Sequence, residues 1–267
     1  MKERGMIFNG EMTRAILDGR KTQTRRIMKA QPSEDFTPMN MALEADYKAR
    51  WYTPGIVDKD GCLQPAGKEV FGVANENEGY SCPFGAVGDR IWVREAYRFP
   101  ASLDDVSPTG VGEMAVATGY RKPWAPTFYE FTGTFSDGWK GFETPPKVSD
   151  AGKLRPSIHM PRWASRILLE ITDVRVERLN AINEHDAQAE GVAKLRGGFW
   201  KHYQPGWTQH QLSARGSFVT LWKSIYSDES WNSNPWVWVI EFKRIEGGQQ
   251  MSTLMQILCI KDTEGYW

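Results

Sequence analysis

The chain has 267 residues, 33 Lys and Arg against 33 Asp and Glu, and 12 Trp within a hydrophobic fraction of 40%. Zero net charge excludes nucleic-acid binding by the field of the whole molecule and leaves only a local basic patch for that purpose. A mean hydropathy of −0.52 without a long apolar run excludes a membrane span, and the scattered Cys62, Cys82 and Cys259 support neither a disulfide framework nor a zinc site.

In chain order, residues 6–8 read as a short strand and 11–18 as an amphipathic helix carrying Met12, Ala15, Ile16 and Leu17. Gly19 stands where a helix C-cap glycine belongs, because glycine adopts the left-handed conformation cheaply. The basic ribbon Arg20-Lys21-Thr22-Gln23-Thr24-Arg25-Arg26 follows. Extended, Thr22, Thr24 and Arg26 share one face and Lys21, Gln23 and Arg25 the other. Such a ribbon binds phosphate, or sets a lysine amine beside a hydroxyl, as activation of a nucleophile requires. The second use needs a bulge or turn at Lys21 and Thr22 to bring both groups to one side.

Residues 29–84 lack periodicity and carry Pro32, Pro38, Pro54, Pro65 and Pro83, so they read as an irregular insertion with room for a small hairpin. Gly88-Asp89 is a turn signal, and Ile91 and Val93 alternate with Trp92 and Arg94 in a strand. Glu95 is either a pocket carboxylate near the ribbon or the partner of Arg94 or another strand cation. A second irregular region spans 99–154, with strand-like stretches at 114–117 and 127–134. Arg155, His159, Arg162 and Arg166 cluster around Pro156 and Pro161, as a phosphate-contacting edge or as a solvated turn.

Residues 167–179 fit a long strand with a slip in register near Asp173. Residues 180–191 fit a helix with Asn183 as N-cap and Gly191 past its end. A second helix, 217–226, places Phe218, Leu221, Trp222 and Ile225 on one stripe. Residues 234–243 form the strongest strand, with Trp236 and Trp238 on one side and Val237 and Val239 on the other. Trp92, Trp163, Trp236 and Trp238 are candidates for stacking on a base, although most tryptophans are core or rim residues. Residues 1–248 read as one domain, with 249–267 a weakly patterned tail whose 254–260 stretch could dock as a helix. The expected fold is α+β, a small mixed barrel with peripheral helices and two long insertions. The opening residues hold no apolar signal-peptide core, so a reduced, cytoplasmic protein is expected. No Walker loop, GxGxxG, HExxH or GxSxG occurs, which argues against ATPase, dehydrogenase, zincin and serine-hydrolase readings.

The run Leu17-Asp18-Gly19-Arg20-Lys21-Thr22-Gln23-Thr24-Arg25-Arg26, then Gly88-Asp89 before a strand, a late helix and Trp238-Val239-Ile240-Glu241-Phe242-Lys243, resembles an ASCH domain of the PUA-like superfamily. The longer form, with Trp92-Val93-Arg94-Glu95 and Asn234-Pro235-Trp236, is similar to ASCH-like proteins of phages and prophages. The resemblance covers residues 6–28, 85–98 and 155–245, and neither the insertions nor the tail. Enzymes that share this resemblance include the small bacterial 4-acetylcytidine amidohydrolases, whose catalytic set is a lysine, the second threonine of the ribbon and a glutamate on a later helix. Lys21 and Thr24 match the first two, and Glu190, in Asp186-Ala187-Gln188-Ala189-Glu190, takes the third place.

The resemblance implies a PUA-like barrel acting on a nucleoside, a modified base or single-stranded RNA, with no cofactor, no metal and no membrane partner. One reading is hydrolysis of an N-acylated cytosine nucleoside. Lys21 accepts the Thr24 proton, Thr24 attacks the amide carbonyl, and Glu190 protonates the leaving amine or orients Lys21. In a variant without a covalent step, Lys21 or Glu190 activates water. The other reading is a non-catalytic RNA or modified-base binding module. In either, Arg20, Thr22, Arg25, Arg26, Trp92, Glu95, Arg155, His159 and Arg162 are the candidate contacts. A ribonuclease on the same fold is a third, and a metal-dependent one would lose cleavage in chelator.

Overall fold

The computed structural model describes residues 1–57, 59–136 and 147–245. Strand β1, Glu3–Ile7, leads into helix α1, Gly10–Leu17. Asn9 caps this helix, its side-chain oxygen accepting from Met12 N at 2.8 Å. Gly19, at φ 74°, turns the chain out of the helix while Arg20 N and Lys21 N both donate to Ala15 O. The ribbon then becomes β2, Gln23–Ile27. Five short strands follow: β3, Arg50–Tyr52; β4, Gly55–Val57; β5, Leu63–Pro65; β6, Val70–Ala74; and β7, Gly79–Ser81. Next come β8, Arg90–Arg94, β9, Tyr97–Arg98, and α2, Pro108–Ala117. Strands β10, Phe128–Tyr129, and β11, Thr134–Phe135, precede the long β12, Leu168–Arg178. Helices α3, Glu184–Ala189, α4, Ala214–Tyr226, and α5, Asp228–Asn232, lead to β13, Trp236–Ile245. The fold is therefore α+β, with several sheets.

Two compact units divide these elements. The first comprises residues 1–2, 15–89 and 170–243. In it β12, β13 and β2 lie in that order, with β2 antiparallel to β13, Thr24 opposite Ile240 and Arg25 opposite Val239. Both faces of β13 are buried. Val237 and Val239 join Phe218, Leu221 and Trp222 of α4, while the Trp236 ring meets Phe36 at 5.6 Å and Tyr47 at 6.2 Å. The helices thus cover the valine face, and the tryptophans are core residues of the other face. Ile225, the fourth member of the expected stripe, is 40% exposed.

Along β12 the buried positions are Leu169 and Ile171, then Val174 and Val176. The phase changes at residues 172–173, where a slip was expected. Asn183 caps α3, accepting from Asp186 N at 2.8 Å, and Gly191 follows at φ 88°. The 29–84 stretch is more regular than expected. Strands β3, β6 and β7 form one antiparallel sheet, and β4 pairs with β5. Strands of three residues are too short to print a period-2 pattern.

The second unit comprises residues 3–14, 90–169 and, among the described residues, 244–245. Here β1 runs parallel to β8, with Gly5 opposite Trp92. A Cβ on Gly5 would stand 2.7 Å from the Trp92 ring and 2.5 Å from Arg94 Nε, so only glycine lets the indole lie across β1. Strands β9, β10 and β11 form a small antiparallel sheet, β11-β10-β9, over a core of Tyr97, Phe99, Val111, Tyr129 and Met160. The stretch at 114–117, expected to be a strand, is the last turn of α2. Ser107 accepts from Gly110 N at 3.1 Å and Pro108 starts the helix, so capping chemistry overrides the local β-like composition.

Among the described residues no sheet closes into a barrel, which corrects the barrel expectation. Just ahead of β2 the end of α3 occupies the ribbon edge. Lys21 bridges to Glu190, and Thr22 N donates to Ala189 O at 2.8 Å. A helix end on the edge leaves no place there for a closing strand. No helix among the described residues is long and apolar enough to cross a membrane. The expected docking helix at 254–260 lies outside the described residues.

Candidate active site

The site lies in the first unit, where the ribbon meets the end of α3. Lys21, Gln23 and Arg25 all point one way, as the alternation of an extended chain dictates. Lys21 Nζ donates to Glu190 Oε2 at 2.7 Å and to the Glu190 carbonyl at 2.9 Å. Gln23 Nε2 donates to the Asp186 carbonyl at 3.0 Å. Arg25 reaches Glu190 Oε1 at 3.2 Å, Asp186 Oδ2 at 2.8 Å and Glu177 Oε2 at 2.8 Å. From β12, Arg175 adds bonds to Glu177 at 2.5 Å, to Asp186 at 3.0 Å and to Glu241 of β13. Three cations thus face four carboxylates.

Burial makes this cluster unusual. The Lys21 side chain is 0% exposed and Glu190 2%. Burial drives the Lys21 amine below its usual range, and the nearby Glu190 carboxylate only partly offsets that; Arg26 and Arg25 push the same way as burial. Burial would raise the Asp186 carboxyl, yet the Arg25 and Arg175 guanidiniums outweigh it and hold Asp186 below the usual carboxylate range. Burial likewise opposes the charge on Arg25, and Glu190 and Glu177 overcome it, so Arg25 stays firmly protonated.

The structure thus places Lys21 and Glu190 in contact and adds Arg25 to them. Thr24 is not among them. It lies on the opposite face of β2, buried at 1% exposure, and its Oγ1 has no hydrogen-bond partner. The chain shows no turn that would swing it toward Lys21. Arg20 donates to Asp18 and to the Gly191 carbonyl, the latter at 2.5 Å. Thr22 is exposed and Arg26, half-buried, stands opposite Trp238. Asp186, Arg175, Glu177 and Glu241 were not anticipated. Asp186 lies four residues before Glu190, on the same side of α3, which was a readable signal. Arg175 and Glu177 share a strand face at a spacing of two.

The remaining candidates belong to the second unit, and each is engaged locally. Trp92 is 7% exposed and lies under the Arg94 guanidinium at 4.5 Å, so its ring is covered on that side. Glu95, 1% exposed, pairs with Arg166 through both oxygens, at 2.9 and 2.8 Å, and not with Arg94. Arg166 also donates to Thr132 and Thr134 and lies 3.8 Å over the Tyr129 ring. Arg155 turns inward, donating to the Leu103 and Val106 carbonyls at 2.8 and 3.0 Å. His159 is exposed, and exposed Arg162 pairs with Glu3 at 2.7 Å. Arg155 and Arg166 therefore hold loops together, and the expected basic edge is reduced to its exposed members. This unit also has a cavity of about 500 Å³ on α2, lined by Gly112, Val116, Pro123, Pro161 and Trp163. Of the candidate residues only Trp163 is in its lining. Among the described residues no group of three or more His, Cys, Asp or Glu is placed to hold a metal ion.

Compared with known proteins, the chain matches no family model, no curated protein and no solved structure.

Proposed function

We propose that this is an ASCH-type, PUA-like protein whose first unit hydrolyses the amide of an N-acylated cytosine nucleoside through Lys21 and Glu190. The observation that carries this reading is the buried contact between the Lys21 amine and the Glu190 carboxylate, 2.7 Å apart, with the amine's pKa lowered. A lysine whose burial eases the loss of its proton can serve as a general base, and a carboxylate beside it can return the proton to a leaving amine. With Thr24 on the far face of β2, the step without a covalent intermediate fits better. Water attacks the amide carbonyl, Lys21 takes a water proton, and the departing amine receives one from the Lys21–Glu190 pair. Arg25, fixed by three carboxylates, sets the rotamer of Glu190. Both reacting side chains are closed off from solvent, so turnover requires an opening at this edge. The Arg20–Gly191 hydrogen bond joins the two residues next to the pair and must yield in that opening.

A modified-base or RNA binding module is the second reading, favoured by the closure of the pair and by the position of Thr24. Incubation of the protein with 4-acetylcytidine, beside Lys21→Met, separates the two. Release of cytidine and acetate by the wild type alone supports hydrolysis. No release by either, with saturable binding of the nucleoside, replaces hydrolysis by binding.

A further inference from the structure

Helix α2 buries Val111 and Ala115 and turns positions 109, 112, 113, 116 and 117 toward the cavity of about 500 Å³ in the second unit. That spacing is one stripe of a helix. Pro123, Pro161 and Trp163 form the facing wall. Gly112 lets the two walls approach each other. A Cβ there would stand 2.9 Å from both Pro123 Cβ and Trp163 Nε1. The volume falls in the range of sites that hold small organic molecules.

The walls are held from behind. The Trp163 ring stacks on Phe99 at 5.5 Å, with planes 5° apart, and packs against the core of the unit. The turn that carries Pro161 is closed by Ala164 N, which donates to Pro161 O at 3.1 Å, and the Tyr129 hydroxyl donates to Ala164 O at 3.0 Å. Against these apolar walls stands one charged group, Glu113. It is exposed, and among the described residues no hydrogen bond or ion pair engages it. The described lining holds no Lys, Arg or His. Arg162, next to Pro161, is taken by Glu3 at 2.7 Å, and Lys122, next to Pro123, is exposed outside the lining.

We propose that this cavity binds a small organic cation, an amine whose apolar body rests on Val116, Pro123, Pro161 and Trp163 and whose ammonium meets the Glu113 carboxylate. Two features select this chemistry together. Apolar walls favour a ligand body that releases water from them, and an unpaired carboxylate at the same cavity supplies the complement of a positive charge. An anion would meet the Glu113 charge and find no cation in the lining. A sugar would leave its hydroxyls unpaired against proline and valine surfaces. A divalent metal ion takes six or so oxygen ligands, which one carboxylate and the Thr109 hydroxyl do not supply. The site lies wholly within the second unit and stands independently of the Lys21–Glu190 pair and of the hydrolytic reading.

The test is titration of the full chain with 4-phenylbutylamine, followed by the line width of the ligand's own NMR signals. Two probes of the same shape, neutral 4-phenylbutanol and anionic 4-phenylbutyrate, isolate the charge. The amine binds about fivefold more tightly than the alcohol, as one partly solvated ion pair allows, and the carboxylate binds more weakly than either. Glu113→Gln brings the amine down to the affinity of the alcohol. Val116→Trp, at a position 47% exposed, fills the cavity and abolishes binding of all three, with the thermal midpoint unchanged in both variants. Equal affinity for the amine and the alcohol overturns the proposal in favour of a merely apolar site. Amine binding that survives Val116→Trp also overturns it, because the ligand then sits elsewhere, and so does an amine that fails to bind the wild type.

Discussion

Each unit buries a glutamate against an arginine, and the two arrangements finish differently. In the second unit Glu95 gives both oxygens to the fork of Arg166, whose other donors meet Thr132 and Thr134 and whose plane rests on Tyr129. In the first unit Glu190 is divided between Lys21 and Arg25, while Arg25 Nε and Thr24 Oγ1 are buried without a hydrogen-bond partner. The Lys21 amine is held with a lowered pKa. A saturated pair is scaffold, because no proton in it has anywhere better to go. An unevenly supplied cluster keeps a loosely held proton next to a carboxylate, which is a starting condition for acid–base chemistry.

Exchanging one residue in each unit is the strongest way to break this contrast. Lys21→Met is expected to lower turnover of 4-acetylcytidine by about 10²–10⁴, the range for loss of a general acid or base. Its stability, read by urea unfolding, stays within about 1–2 kcal/mol, because Arg25 remains to balance Glu190. Arg166→Met does the reverse. It strands the Glu95 carboxylate in the interior and lowers stability by about 3–5 kcal/mol. If Lys21→Met unfolds the protein and turnover per folded molecule is unchanged, both pairs are scaffold and the contrast disappears.

The pH dependence of stability sharpens the same point. Because the folded protein releases the Lys21 proton at lower pH than the unfolded chain does, the unfolded state binds more protons in between. Stability therefore rises with pH from the folded pKa of Lys21 toward the ordinary lysine value of about 10.4. The stability of the wild type relative to Lys21→Met should therefore rise across that window. Asp186 has the opposite sign. Its lowered pKa stabilises the fold above about 3.9, and that contribution is lost as pH falls through the folded value. The acid limb of stability should be shallower in Asp186→Asn.

Smaller effects separate the two mechanisms and test one local signal. Thr24→Val keeps the shape of a buried side chain and removes a hydroxyl that bonds to nothing, so stability should change by less than about 1 kcal/mol. Unchanged turnover in this variant leaves water as the nucleophile; abolished turnover makes Thr24 the nucleophile and requires β2 to rearrange. Asn183→Ala should cost about 1 kcal/mol through the lost α3 cap, and with it some of the order of Asp186 and Glu190.

Much of the local structure was legible in the residues. The end of α1 at Gly19, the alternation of the ribbon, the slip in β12 and the Asn183 cap each rest on contacts within a few residues. The contact of Lys21 with Glu190 was anticipated through a family resemblance and not from periodicity. The alternation also put Thr24 on the wrong side of β2 from Lys21, and no bulge intervenes. The small sheets of residues 29–84 showed only as room for a hairpin, which β4 and β5 supply, because most of their strands are too short for a pattern, and α2 was hidden by β-like composition behind a Ser-Pro start.

What only the tertiary structure decided is which charge meets which. Glu95 chose Arg166, 71 residues away, over the adjacent Arg94, and Arg25 met Asp186 and Glu190 across 161 and 165 residues. Helix caps and strand alternation are set by sterics and hydrogen bonds along a short stretch of chain, so a sequence displays them. The partner of a buried charge is set by which elements the apolar core brings side by side, and that choice is made only when the whole chain packs.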